Sequence, residues 1–138
     1  MNEHQVEFEN AVPLTLKTPS IYRAELYSVL LNLLTNALKA VHGYPERRIR
    51  IEGFKSSDNY FVLRVINTGK KAPREKWDDY FRPFVTDSIS DSGLGVGTGL
   101  GLSIVRDTVN EYAGLAKFIE VEDPWQTCVE IRFPLTGQ

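Results

Sequence analysis

Two asparagines and a lysine, Asn32, Asn36 and Lys39, recur at i, i+4 and i+7 within TPSIYRAELYSVLLNLLTNALKAVHG. On a helix of about 100° per residue they share one face, with Glu25 further back on the same side. Asparagine is a mediocre helix former, because its amide competes for backbone partners. Two asparagines one turn apart in a helix therefore cost stability without a structural return. Amide oxygens are hard ligands suited to Mg2+, and a neighbouring ammonium group suits phosphate. The plainer alternative is the solvated polar face of an ordinary amphipathic helix.

A second chemical feature is SISDSGLGVGTGLGLSIVRD, where Gly93, Gly95, Gly97, Gly99 and Gly101 alternate with other residues. A flexible linker is the bland reading of such a run. The flank argues against it, since Leu102, Val105, Val109 and Tyr112 follow at helical spacing and Gly114 can cap the helix. A glycine loop entering a helix offers unpaired N–H groups and a positive dipole end, which suit an anion such as phosphate. A GxxxxGK[ST] loop is excluded because the chain has no Gly-Lys-Ser or Gly-Lys-Thr. The GxGxxG fingerprint fails because all five glycines are odd-numbered. Together, the two features suggest a Mg2+-nucleotide site roofed by the glycine loop.

These groups need elements to hold them. The helical pattern runs from a plausible N-cap at Ser20 to a C-cap at Gly43, with Leu26, Val29, Leu30, Leu33, Ala37 and Val41 as its apolar stripe. RRIRIEGF and YFVLRVIN read as strands joined through SSDN, and LAKFIEVE and TCVEIRFPL as two more, with Asp123-Pro124 at their turn. REKWDDYF after Pro73 suggests a short helix, and a second long helix is expected from about Gly99. Residues 1–10 read as linker or chain end, with weak alternation at Val12, Leu14 and Leu16 beyond them. Helices mix with hairpins and no regular βαβ order appears, so the predicted class is α+β: a mixed sheet with helices on one face. At 138 residues, residues 1–138 are expected to form a single domain. A net charge of −2 gives no electrostatic reason to expect nucleic acid or a membrane surface. No signal peptide or apolar run of membrane-spanning length is visible, so a cytoplasmic setting is expected, with a membrane-anchored parent still possible. The single cysteine, Cys128, excludes an internal disulfide and is expected to be a buried thiol.

At this point the residues resemble a known family. NLLTNALKA resembles the N box of the GHKL ATPases, the group of gyrase, Hsp90, histidine kinases and MutL. INTGKKAP stands where their first glycine box stands, FRPF resembles the F box of sensor histidine kinases, and GTGLGLSIV is similar to the second glycine box. The resemblance covers roughly residues 10 to 135 and implies the Bergerat α/β sandwich, with a lid over Val85 to Thr98 that nucleotide phosphates would order. It implies ATP and Mg2+ as cofactors, Asn36 as metal ligand, and Asn32, Asn36 and Lys39 as catalytic. It implies nucleotide contacts from Asn67, Gly69, Lys71, Phe81, Phe84, Gly97, Thr98, Gly99, Leu100, Gly101, Leu102 and Thr127. The family's hydrolases carry a glutamate four residues before the metal-binding asparagine, where it activates water. Here that position is Asn32, and an amide is no general base at neutral pH. Transfer to histidine needs none, because the imidazole is the nucleophile. The resemblance therefore implies the catalytic ATP-binding domain of a sensor histidine kinase, with a histidine-bearing dimerisation domain and a response regulator as partners.

The pattern also departs from the family. The aspartate that accepts the adenine amino hydrogen is replaced by Asn67, the second glycine of that box by Lys71, and Asp87 follows Thr86 at the end of the F-box stretch. Exchanging a charged for a neutral hydrogen bond weakens binding by about 1 kcal/mol. An asparagine can present either its oxygen or its NH2 to a base, and Lys71 either crowds the pocket or adds a phosphate contact. Only His4 and His42 are present, and neither lies in a helical hairpin pattern, so the phosphate acceptor is expected elsewhere. These departures keep a second reading open, a degenerate domain acting as a regulatory interaction module. A hydrolase or anti-sigma-type serine kinase of the same group is a third, disfavoured by Asn32 and FRPF.

Overall fold

The alternating stretches form β2 (Arg48–Lys55), β3 (Tyr60–Asn67), β4 (Leu115–Ile119) and β5 (Thr127–Pro134) in a computed structural model that describes residues 5–83 and 101–135. With β1 (Glu7–Ala11) they make one sheet of order β1-β2-β3-β5-β4. β1 runs parallel to β2, and every other pair is antiparallel, so the sheet is mixed as expected. Period-two alternation sends Phe61, Leu63 and Val65 of β3 and Val129, Ile131 and Phe133 of β5 to one face. There they pack under α1 (Arg23–Val41) and α2 (Gly101–Glu111). Val29, Leu33, Ala37 and Val41 of α1 are buried, and so are Leu102, Val105 and Val109 of α2, which follows the predicted stripes.

Several local expectations are corrected. α1 begins at Arg23 with Tyr22 as N-cap and no side-chain cap, not at Ser20. The reason is tertiary: the Tyr22 N–H donates to the hydroxyl of Tyr112, beyond the end of α2. Gly43 does take a left-handed φ of 82°, one residue beyond the C-cap His42. At the end of α2 the left-handed residue is Ala113, at φ 60°, while Gly114 serves another need. A Cβ on Gly114 would stand 2.2 Å from the Arg132 carbonyl oxygen, so glycine lets the chain cross β5 closely. The short helix after Pro73 is instead two 3₁₀ turns, Arg74–Lys76 and Asp79–Phe81. The strand near the N-terminus lies at Glu7–Ala11, ahead of the Val12–Leu16 alternation, because Glu7 and Glu9 face Arg48 and Arg50 of β2 in register. Val12 and Leu16 then fold over Gly53.

The sheet face away from the helices is closed by charge. Glu9, Arg50, Glu52, Arg64, Glu130, Arg132 and Asp58 alternate in sign across four strands, with Arg64 and Arg132 at 2.8 and 2.9 Å from Glu130. Val62 and Cys128, on the same face, are fully buried. Burial pushes the Cys128 thiol up to about 12. A native sample should therefore leave an aromatic disulfide reagent unreacted at pH 8, and denaturant should release one thiol per chain. Fast labelling of the native protein would show that this face opens.

Candidate functional site

The polar side of α1 meets α2 at Glu25 and Asn32. At its first turn Glu25 accepts from the Tyr112 hydroxyl at 2.5 Å, and that bond, with burial second, raises the phenol's pKa. Glu25 is thus a brace between helices and stands apart from the asparagine–lysine group. Two turns on, the Asn32 Nδ2 donates to the Ser28 carbonyl at 2.8 Å. This is the backbone competition that makes asparagine a poor helix former, here used to orient the side chain. Its Oδ1 faces the start of α2, 3.4 Å from where a Cβ on Gly101 would stand. Asn36 and Lys39 follow, half-buried, and among the described residues no side chain pairs with either. Asn32 thus sits at a helix N-terminus, with Asn36 and Lys39 further along the same side of α1.

The last turn of α1 holds the loop after β3. The Lys70 N–H donates to the Ala40 carbonyl at 2.9 Å. A Cβ on Gly69 would lie 2.0 Å from that same oxygen, so this glycine permits the docking. Asn67, the last residue of β3, is 2% exposed and faces the helices beside its cross-strand partner Thr127. The Gly69 N–H donates to Asn67 Oδ1 at 2.9 Å. Thr127 donates its hydroxyl to the Lys70 carbonyl at 3.0 Å and accepts from the Ala72 N–H at 3.0 Å. Its proton and one of its two lone pairs are therefore engaged in holding the loop. Lys71 is exposed, whereas Asn67 is buried.

Of the remaining positions, Phe81 is 4% exposed and packs edge-on to Phe118 at 5.4 Å, with the Arg106 guanidinium 4.1 Å above its ring. Its place is in the core, where it anchors the chain before the glycine loop. Leu102 also belongs to the core. Phe84, Gly97, Thr98, Gly99, Leu100 and the expected lid lie outside the described residues. His42 is exposed at the C-cap of α1. Sequence reading missed the Glu25–Tyr112 brace and the loop-holding role of Thr127; the spacing of 87 residues in the first left no local signal.

Among the described residues no three His, Cys, Asp or Glu side chains cluster as a metal site. A cation here would rest on an amide oxygen and on phosphate oxygens of a ligand, a donor set that suits Mg2+. Asn36 fits that role, since it is half-buried on the same side of α1 as Asn32 and carries no other bond among the described residues.

A family profile described as "Histidine kinase-, DNA gyrase B-, and HSP90-like ATPase" matches residues 22–137. The sensor histidine kinase GlrK of Escherichia coli K12 is 33% identical over 109 residues, which is 79% of this chain and 22% of that protein. The autoinducer 2 sensor kinase/phosphatase LuxQ of Vibrio parahaemolyticus is 32% identical over 94 residues, 67% of this chain and 11% of that protein. The chain thus spans a small part of the relatives it matches. Among solved structures, the nucleotide-free catalytic domain of the histidine kinase ThkA superposes with a TM-score of 0.77 at 25% identity, over 96% of this chain and 82% of that one. The mycobacterial sensor histidine kinase MprB gives 0.78 at 24% identity, covering 94% and 81%.

Proposed function

Because the chain belongs to the histidine kinase-, DNA gyrase B- and HSP90-like ATPase family, we propose that it binds Mg2+-ATP and passes the γ-phosphoryl group to a histidine on a separate dimerisation domain. The observation that carries this reading is the approach of Asn32 Oδ1 to Gly101, which brings the asparagine–lysine face of α1 to the start of α2. Phosphates held at that helix start would meet unpaired N–H groups on one side and Lys39 on the other. Asn36 would offer its oxygen to Mg2+, which when bound neutralises phosphate charge and orients the transferred group. Asn32, oriented by its bond to the Ser28 carbonyl, is no general base. Its amide cannot take a proton from water, so the chemistry favours an acceptor that is itself the nucleophile. The phosphorylated histidine would then serve a response regulator. The site asks for no nucleic acid and no membrane, and we place the domain in the cytoplasm. Among the described residues no helix is long and apolar enough to cross a membrane.

Calorimetric titration with a nonhydrolysable ATP analogue tests the reading. Wild type should bind in the presence of Mg2+ with a Kd of roughly tens to hundreds of micromolar. Asn36→Ala should remove the Mg2+-dependent part of that affinity and leave the thermal midpoint within a few degrees. Equal binding by the mutant would make Asn36 structural. No binding by either protein would favour a regulatory interaction module.

A further inference from the structure

We propose that α1 carries a self-association surface, on which two copies of this chain meet with their α1 helices antiparallel and Leu31 at the twofold axis. No nucleotide takes part in this contact. Val29, Leu33 and Ala37 are buried and fix the side of α1 that faces the sheet. At about 100° per residue, the side turned away from the sheet is lined by Ala24, Tyr27, Ser28, Leu31, Thr35 and Leu38. The outward side of a surface helix is ordinarily its charged side. Here about four turns pass without a charge. From Ala24 to Leu38 the sole charged residue is Glu25, and its carboxylate is engaged by the Tyr112 hydroxyl beyond the end of α2. Tyr27 and Leu31, one turn apart, are 59% and 66% exposed. Large apolar groups that lie together on a charge-free surface mark an interaction site rather than ordinary solvated surface.

A second copy of the chain fits this side because the stripe complements itself when reversed. Reversal about Leu31 sets Ala24 against Leu38 and Tyr27 against Thr35, so each large side chain meets a small one. Leu31 then meets its own copy. In a twofold contact the residues near the axis face their own kind, so a charge there would repel itself. This stripe has none, and a net charge of −2 per chain adds only weak repulsion in salt. The recurrence at three and four residues also suits a helix as occupant, because knobs at that spacing fit between those of another helix, whereas a strand repeats every two residues.

Sedimentation analysis of the chain across a concentration series tests this. Wild type should pass from monomer to dimer with a Kd of roughly tens of micromolar. Leu31→Glu introduces a good helix former and sets two like charges at the axis. It should weaken the dimer about tenfold or more and keep the thermal midpoint within a few degrees. The same change at the exposed Leu115, on the edge strand β4, should leave the dimer unchanged. A wild type that stays monomeric at about 1 mM overturns the proposal and leaves this side of α1 to a helix of another protein. A dimer that both variants weaken equally, or that neither weakens, places the contact elsewhere and overturns it too. Should Leu31→Glu fail to fold, Leu31→Cys decides. With oxidised glutathione, at a concentration where wild type is dimeric, it should give a covalent dimer, and the buried Cys128 stays out of the exchange. Chains that remain unlinked overturn the proposal.

Discussion

Gly69→Ala is expected to lower the thermal midpoint by roughly 10 °C, equivalent to about 3 kcal/mol for a domain of this size. The added Cβ would sit 2.0 Å from the Ala40 oxygen, 2.4 Å from its carbon and 2.6 Å from the Val41 nitrogen. All three are backbone atoms in the last turn of α1, so no rotamer change relieves the overlap. The loop must lift away, which breaks the Lys70 bond to Ala40 and moves the Gly69 N–H off Asn67. Nucleotide binding should therefore fall along with stability. Gly43→Ala is the control: there a Cβ would meet nothing within 4 Å and only the left-handed φ is strained, at about 1 kcal/mol. Thermal denaturation and nucleotide titration of both variants check this. Equal losses would mean that chain conformation, rather than the docking of the loop on α1, sets the effect.

Glu130→Gln is the second large change, and its size should depend on pH. Burial by itself would raise this carboxyl, but hydrogen bonds from Arg132 and then Arg64 outweigh it and hold the group below the usual carboxylate range. A depressed folded pKa contributes stability that is fully present above the unfolded value of about 4.3 and is lost as pH falls through the lower folded value. At pH 7 the amide keeps the shape, removes the charge and turns an NH2 toward one guanidinium, at a cost of about 1–3 kcal/mol. As pH falls below the unfolded value and through the lower folded one, the wild type should lose that advantage and the two proteins should converge. Denaturant midpoints across pH 2–7 measure it; a difference constant over that range would mean that packing of the side chain, not its charge, is what matters.

The elements were legible in the sequence because periodicity reports local exposure. The apolar run from Tyr60 to Asn67 is β3, buried on both faces; Val29, Leu33, Ala37 and Val41 fall on one helical face, and that face is buried. Asn32, Asn36 and Lys39 also share one side of α1, since residues four and seven apart stay together on any straight helix. What each polar atom bonds to was not legible. Glu25 lies on the same face as Asn32, yet Tyr112 claims it from 87 residues away. Tyr22 displaces Ser20 as cap because that same tyrosine reaches its N–H. Thr127 and Lys70 are 57 residues apart and meet only because β5 pairs with β3. Asn67 could have turned either end of its amide toward the loop, and the Gly69 N–H, pressed against α1, takes the oxygen. Spacing along the chain determines which side of an element a residue occupies, because that follows from the local backbone repeat. A hydrogen-bond partner must arrive within about 3 Å and at the right angle, and only the assembled fold brings distant segments that close.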